Sequence, residues 1–186
     1  DDERLAYRRA LAEHLAALQP DGIDGTVSTV PGAFKPRVSG SGDVASIAAR
    51  VLRHAADLVR LRDRTGKRVA LALEPEPFCH LATVAETAAF FDEHLFSRAA
   101  LADFSRWSGL GGARAEDALR EHLGVCLDAC HMAVEFEDLD RALARIASSG
   151  IAIHKIQVSA GLEVRPDRDP TVLVSELDRF AEGVYL

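Results

Sequence analysis

The chain has 186 residues, enough for one domain with a buried core. It is 48% hydrophobic and 27% charged, the balance of an ordinary globular protein. The formal net charge of −7 argues against a nucleic-acid partner or a polybasic membrane surface, and no apolar run approaches the roughly 20 residues that a membrane helix needs.

Leu5, Leu11, Leu15 and Leu18 fall at helical spacing, and Pro20 and Gly22 close that helix. Thr26-Val-Ser-Thr-Val30 is short and β-branched, which predicts a strand ending at Pro31. Residues 32–42 are rich in Gly and Pro and read as a loop. Asp43 is the expected N-cap of a long helix that Gly66 stops, with Ile47, Val51, Leu58 and Leu61 on one stripe. Val69–Leu73 is a buried strand, and Thr83 caps a helix to about His94. Residues 97–122 predict one or two helices, long for a connection and placed as decoration of the rim. Gly124–Leu127, a helix over Leu139–Ala147, a strand over Ile151–Val158 and a helix over Pro170–Phe180 complete the series.

Strands alternating with helices predict parallel βαβ units, and wholly apolar strands predict a sheet covered by helices. A dinucleotide fold would need a Gly-rich turn after a strand; Leu73 is followed instead by Glu-Pro-Glu-Pro and Leu127 by Asp-Ala-Cys-His. Acids and a histidine at strand exits suit a (β/α)8 TIM barrel, whose functional side chains lie at the C-terminal rim. Only four or five strands are legible. With no initiator Met and a strand-like Gly183-Val-Tyr-Leu186, residues 1–186 are expected to be one domain, an internal piece of an incomplete barrel. Three cysteines cannot all pair, which fits a reducing, cytoplasmic setting, and all three read as packing residues. An unpaired parallel edge makes a homo-oligomer an expected state.

Three strand exits carry the candidate chemistry. Glu74 and Glu76, two apart in a segment stiffened by Pro75 and Pro77, can share one direction and bind a cation or divide acid and base roles. A solvated turn explains such a pair equally well. Asp128 succeeds a buried strand, and His131 lies within reach of the same pocket. Along 153–159, Ile153, Lys155, Gln157 and Ser159 share one face, whose polar members are expected to look inward, and His154, Ile156 and Val158 share the other, with His154 expected under the helices. His80 lies in the loop after Glu76 and reads first as an ordinary loop histidine, with contact to substrate as the alternative. His14, His54, His94 and His122 fall on helices and are expected at the surface.

Leu73-Glu74-Pro75 and Leu127-Asp-Ala-Cys-His-Met132 resemble the xylose-isomerase-like sugar (phosphate) isomerases and epimerases. A narrower resemblance, through Thr26–Pro31, Leu73–Phe78, Leu127–His131 and Lys155–Ala160, is to the EboE barrel family of the Ebo gene cluster, linked to metabolite traffic. The resemblance implies a divalent metal on Glu74, Asp128 and Gln157, with Gln157 where a metal-binding histidine is usual, or that histidine displaced to His154. It implies catalytic roles for Glu74, His131 and Lys155, and substrate contacts from Glu76, His80, Gln157 and Ser159. Oxygen donors favour Mg or Mn over Zn. The expected activity is a metal-dependent isomerase or epimerase acting on a small hydroxy-carbonyl metabolite; the alternative is a non-enzymatic small-molecule binder.

Overall fold

Val69–Leu73 and Leu123–Asp128 are buried along their whole length, and this sets the architecture: two central strands covered on both faces. The structure, a computed structural model, describes residues 2–30, 32–165 and 169–181. Its strands are β1 (Gly25–Thr29), β2 (Val69–Leu73), β3 (Leu123–Asp128) and β4 (Ala152–Gln157). They pair in parallel in the order β1-β2-β3-β4. The helices are α1 (Asp2–Leu18), α2 (Ser41–Thr65), α3 (Val84–Phe90), α4 (Arg98–Ser108), α5 (Ala113–His122), α6 (Ala129–Val134), α7 (Leu139–Ser148) and α8 (Pro170–Leu177).

Alternation sorts the strands into two faces. Val27, Val69, Leu71, Leu73, Leu123, Val125 and Leu127 enter one core with Leu58 of α2, Phe91, Phe104 of α4, Leu119 of α5 and Ile146 of α7. The opposite face carries small residues: Ser28, Ala72 and Gly124 lie in register across β1–β3. Those small side chains let the sheet curl until its edge strands meet. Thr26 Oγ1 donates to the His154 carbonyl at 3.3 Å, and Lys155 Nζ donates to Ser28 Oγ at 3.2 Å. Gly124 has to be glycine because a Cβ there would lie 2.2 Å from the Ala152 carbonyl oxygen and 2.6 Å from the His154 ring.

The result is a curled half-barrel. The described strands do not close into a (β/α)8 barrel, since β1 and β4 remain the edges of a four-stranded sheet. The strand expected at Gly183–Leu186 lies outside the described residues. Among the described residues no helix is long and apolar enough to cross a membrane.

Four local expectations are corrected. α2 begins at Ser41 with Gly40 as N-cap, and Asp43 instead accepts from the backbone N–H and hydroxyl of Ser39. α4 and α5 are not rim decoration: Phe104, Ala115 and Leu119 pack into the core beside α2. His54 and His122 are fully buried, on the inner faces of their helices. In β4 the pairing slips, with Val125 opposite Ile153 but Cys126 opposite Lys155. His154 is the extra residue of this bulge, so Ile153 and Ile156 share the outer face and the His154 ring packs toward Gly124 rather than under the helices.

Candidate functional site

The C-terminal ends of β2, β3 and β4 deliver polar groups to one rim. Glu74 follows β2 on the phase of Ala70 and Ala72, so its carboxylate leaves the concave face. Its N–H is tied to the Thr29 carbonyl at 3.0 Å, extending the ladder one residue. Asp128 ends β3 and pairs in register with Gln157 at the end of β4.

Gln157 spans the two acids. Its Nε2 donates to Glu74 Oε1 at 2.7 Å and to Asp128 Oδ2. Asp128 Oδ1 also accepts from the Cys130 N–H at 2.9 Å, which caps α6, and from the Ser159 hydroxyl. Burial alone would raise the Asp128 carboxyl. The hydrogen bonds from Ser159 and Cys130, with His131 nearby, outweigh it and hold the group well below the usual carboxylate range.

His131 lies on the first turn of α6. Its Nδ1 is 3.1 Å from the Pro75 carbonyl, which can only accept, so Nδ1 carries the proton. That leaves Nε2 as the ring's open coordination or hydrogen-bonding position. Glu74 Oε1 is 3.8 Å from Nδ1. Glu76, half-buried two residues on, has its carboxyl raised by burial and by Glu74 and Asp128, with His131 acting against the rise. Beneath the rim the Cys126 thiol is pushed up to about 12 by burial and by the adjacent Glu74.

The structure thus brings together Glu74, Glu76, Asp128, His131, Gln157 and Ser159, with Lys155 one row deeper on Ser28. It does not bring His80 to this cluster. That ring meets Phe90 edge-on at 5.8 Å and lines a groove on the α3 side with Lys35, Glu86 and His94. Sequence reading missed Cys130. One ligand atom each from Asp128, Cys130 and His131 lie within 4.8 Å of one another. The Asp-x-Cys-His spacing across a strand-to-helix turn is the signal that could have found it; the reading of all three cysteines as packing residues set it aside.

No family model and no curated protein matches the chain. Among solved structures, the crystal structure of apo 3-keto-D-glucoside 4-epimerase YcjR from E. coli is similar. The identity is 14% over 95% of this chain and 69% of that chain, with a TM-score of 0.46. A likeness of that degree does not define chemistry. The resemblance to xylose-isomerase-like barrels, and more narrowly to EboE, is therefore corrected: no family model supports it, and the described strands form a half-barrel. The physical reason lies in the motifs. Short runs such as Leu-Glu-Pro and Asp-x-x-His report acids at strand exits, a property that parallel α/β sheets share without kinship.

Proposed function

We propose that the rim of β2–β4 binds a divalent cation and moves a proton beside the carbonyl of a small hydroxy-carbonyl compound. This is an isomerase or epimerase reaction on a sugar or related metabolite. The observation that carries this reading is the meeting of Glu74 and Asp128, from adjacent strands, on the single Gln157 amide nitrogen. A donor accepted by both carboxylates occupies the kind of position that a cation bound to both would take.

The donor chemistry fits such an ion. Glu74 and Asp128 supply hard anionic oxygens, and Gln157 supplies an amide oxygen once its side-chain amide is rotated, an orientation assigned from hydrogen bonding. This oxygen set suits Mg or Mn; participation of Cys130 and His131 would move the preference toward Zn. When bound, the cation polarises a carbonyl oxygen and stabilises negative charge developing there.

The chain's own residues supply the rest. Glu76, whose side chain makes no hydrogen bond among the described residues and whose carboxyl is raised by burial, would take the proton from carbon and return it, with Glu74 adjacent. His131, oriented by Pro75, directs Nε2 to a substrate oxygen. Lys155 offsets negative charge from the floor of the concave face. Ser159 and the Cys130 N–H hold the Asp128 carboxylate in place.

Calorimetric titration of Mn²⁺ into the full chain, with deuterium exchange of ketohexoses in D₂O followed by NMR, tests the reading. The expected result is Mn²⁺ binding that Asp128→Asn weakens at least tenfold, and deuterium entering at the carbon beside the carbonyl. Binding indifferent to both Asp128→Asn and Glu74→Gln, or no binding and no exchange, would overturn it.

A further inference from the structure

Beside the oxygen set of Glu74, Asp128 and Gln157 the rim holds a second group of ligand atoms of different chemistry. Asp128, Cys130 and His131, within four consecutive residues of the turn from β3 into α6, bring a carboxylate oxygen, a thiol sulfur and a ring nitrogen within 4.8 Å of one another. Among the described residues no other three His, Cys, Asp or Glu side chains converge so closely. Asp128 is buried, and Cys130 and His131 are partly exposed. In a tetrahedral zinc site with bonds of about 2.0–2.3 Å, the ligand atoms stand roughly 3.3–3.8 Å apart. A cation would draw the three atoms together by roughly 1 Å, a distance that side-chain rotation covers.

The contacts behind each ligand fit this use. His131 Nδ1 donates toward the Pro75 carbonyl at 3.1 Å, so the ring's lone pair is at Nε2. An imidazole that donates one ring N–H to a backbone carbonyl and offers its other nitrogen has the arrangement usual behind a metal-bound histidine. The Cys130 N–H is shared between Asp128 Oδ1 at 2.9 Å and Ser159 Oγ at 3.0 Å, and the Ser159 hydroxyl donates to the same Oδ1. These bonds fix the Cys130 backbone and the Asp128 carboxylate relative to each other. Asp128 Oδ2 accepts one hydrogen bond, from Gln157, and keeps a lone pair for a cation. The Cys130 thiol lies in hydrogen-bond contact with Ser159 and Asp128, so its proton already sits where a cation would replace it.

We infer that this turn is a zinc-class metal site, in which the Asp128 carboxylate, the Cys130 thiolate and His131 Nε2 bind one borderline divalent ion, Zn²⁺ or Co²⁺. The thiol proton leaves to solvent as the metal–sulfur bond forms. Sulfur and imidazole donors select against Mg²⁺, which prefers oxygen. Three protein ligands leave one tetrahedral position for water or another oxygen ligand. The site goes beyond the oxygen set proposed above and shares only Asp128 with it. With the ion bound, His131 Nε2 is committed to the metal instead of to a substrate oxygen.

Co²⁺ is titrated into the full chain under reducing, chelator-free conditions and followed by absorbance. A thiolate-to-cobalt charge-transfer band is expected in the near ultraviolet, saturating at one ion per chain and bleached by Zn²⁺. Cys130→Ser is expected to abolish the band, and His131→Gln to weaken Co²⁺ binding at least tenfold, a loss that even an outer-shell change can bring. A readout that needs no variant is alkylation: Zn²⁺ is expected to slow the reaction of Cys130 with iodoacetamide at least tenfold, and Mg²⁺ to leave it unchanged. Glu74→Gln separates this site from the oxygen set, since it is expected to keep the cobalt band while weakening Mn²⁺ binding. No cobalt binding, cobalt binding without the band, a band that persists in Cys130→Ser, or alkylation indifferent to Zn²⁺ would overturn the assignment. None of these results touches Mn²⁺ held by Glu74 and Asp128, which the Mn²⁺ titration tests by itself.

Discussion

Replacing His54 by Leu tests how far a buried neutral imidazole controls the acid stability of this fold. His54 sits on the α1-facing side of α2, fully buried, with both ring nitrogens unpartnered among the described residues. Burial, then the charges of Arg8 and Arg9, pushes it down to about 3. In the unfolded chain the same group titrates near 6.5. Below that pH the unfolded state holds one more proton than the folded state. Stability is therefore flat above pH 6.5, falls as pH drops toward 3 and levels off below it, with a slope approaching ~1.4 kcal/mol per pH unit. By pH 5 the loss from this one residue is about 2 kcal/mol, a sizeable fraction of the 5–15 kcal/mol of a typical domain. His54→Leu removes that dependence. It also removes two unsatisfied buried polar atoms, which is expected to raise stability at pH 7 by about 1–3 kcal/mol. Urea unfolding of both proteins at pH 7 and pH 5 in phosphate-free buffer measures both effects. The advantage of the variant should widen by about 2 kcal/mol on acidification. His154, lowered to about 4 by burial, Arg68 and His122, acts with the same sign in both proteins and cancels. An equal difference at the two pH values would refute the reasoning.

Gly124→Ala is expected to destabilise by more than the 1–3 kcal/mol of ordinary overpacking, because the added methyl meets the Ala152 backbone rather than a side chain that can turn aside; urea unfolding measures it, and a change under 0.5 kcal/mol would show that β3 and β4 do not approach so closely. Iodoacetamide at pH 8 followed by mass spectrometry should label Cys130 first: it is partly exposed, while Cys79 and Cys126 are buried and pushed up to about 11 and about 12 by burial first of all. Cys126 reacting at the rate of Cys130 would contradict its burial beneath Glu74.

Much of the chain order was legible because punctuation and periodicity agreed. Gly66 ends α2 in the left-handed conformation, at φ +72°, and Thr83 forms a full capping box with Glu86. The strands β2 and β3 were visible as the apolar runs Val69–Leu73 and Gly124–Leu127, the second one residue short at each end. The curl of the sheet was not legible. Curvature depends on the small inner face of Ser28, Ala72 and Gly124 and on which strands meet across it, and no local pattern encodes that meeting. The buried histidines were also illegible for a physical reason. At position 54 imidazole lies on the same helical stripe as Val51, Leu58 and Leu61, and polarity alone argued for the surface where packing prevailed.

The rim shows where alternation suffices and where it fails. Glu74 and Asp128 could be placed from strand ends alone, since each continues the inward phase of an apolar strand. On β4 the same rule put Lys155 and Gln157 inward, but it put His154 on the helical side together with Ile156, and there the bulge defeats it. One extra residue between Ile153 and Lys155 resets the phase, so that His154 and Lys155 both look toward the concave face while Ile153 and Ile156 look out. The bulge has a consequence for the site: it aligns Gln157 with Asp128, and so brings the amide within reach of both acids. A β4 paired without the slip, keeping Val125 opposite Ile153, would set Ile156 opposite Asp128 and turn Gln157 away by one residue. The close approach of Ala152 to Gly124, just before the slip, leaves no room for a side chain on β3 at that point. Gly124 is therefore coupled to the rim through register, although it lies four residues before Asp128 and touches none of the polar groups there.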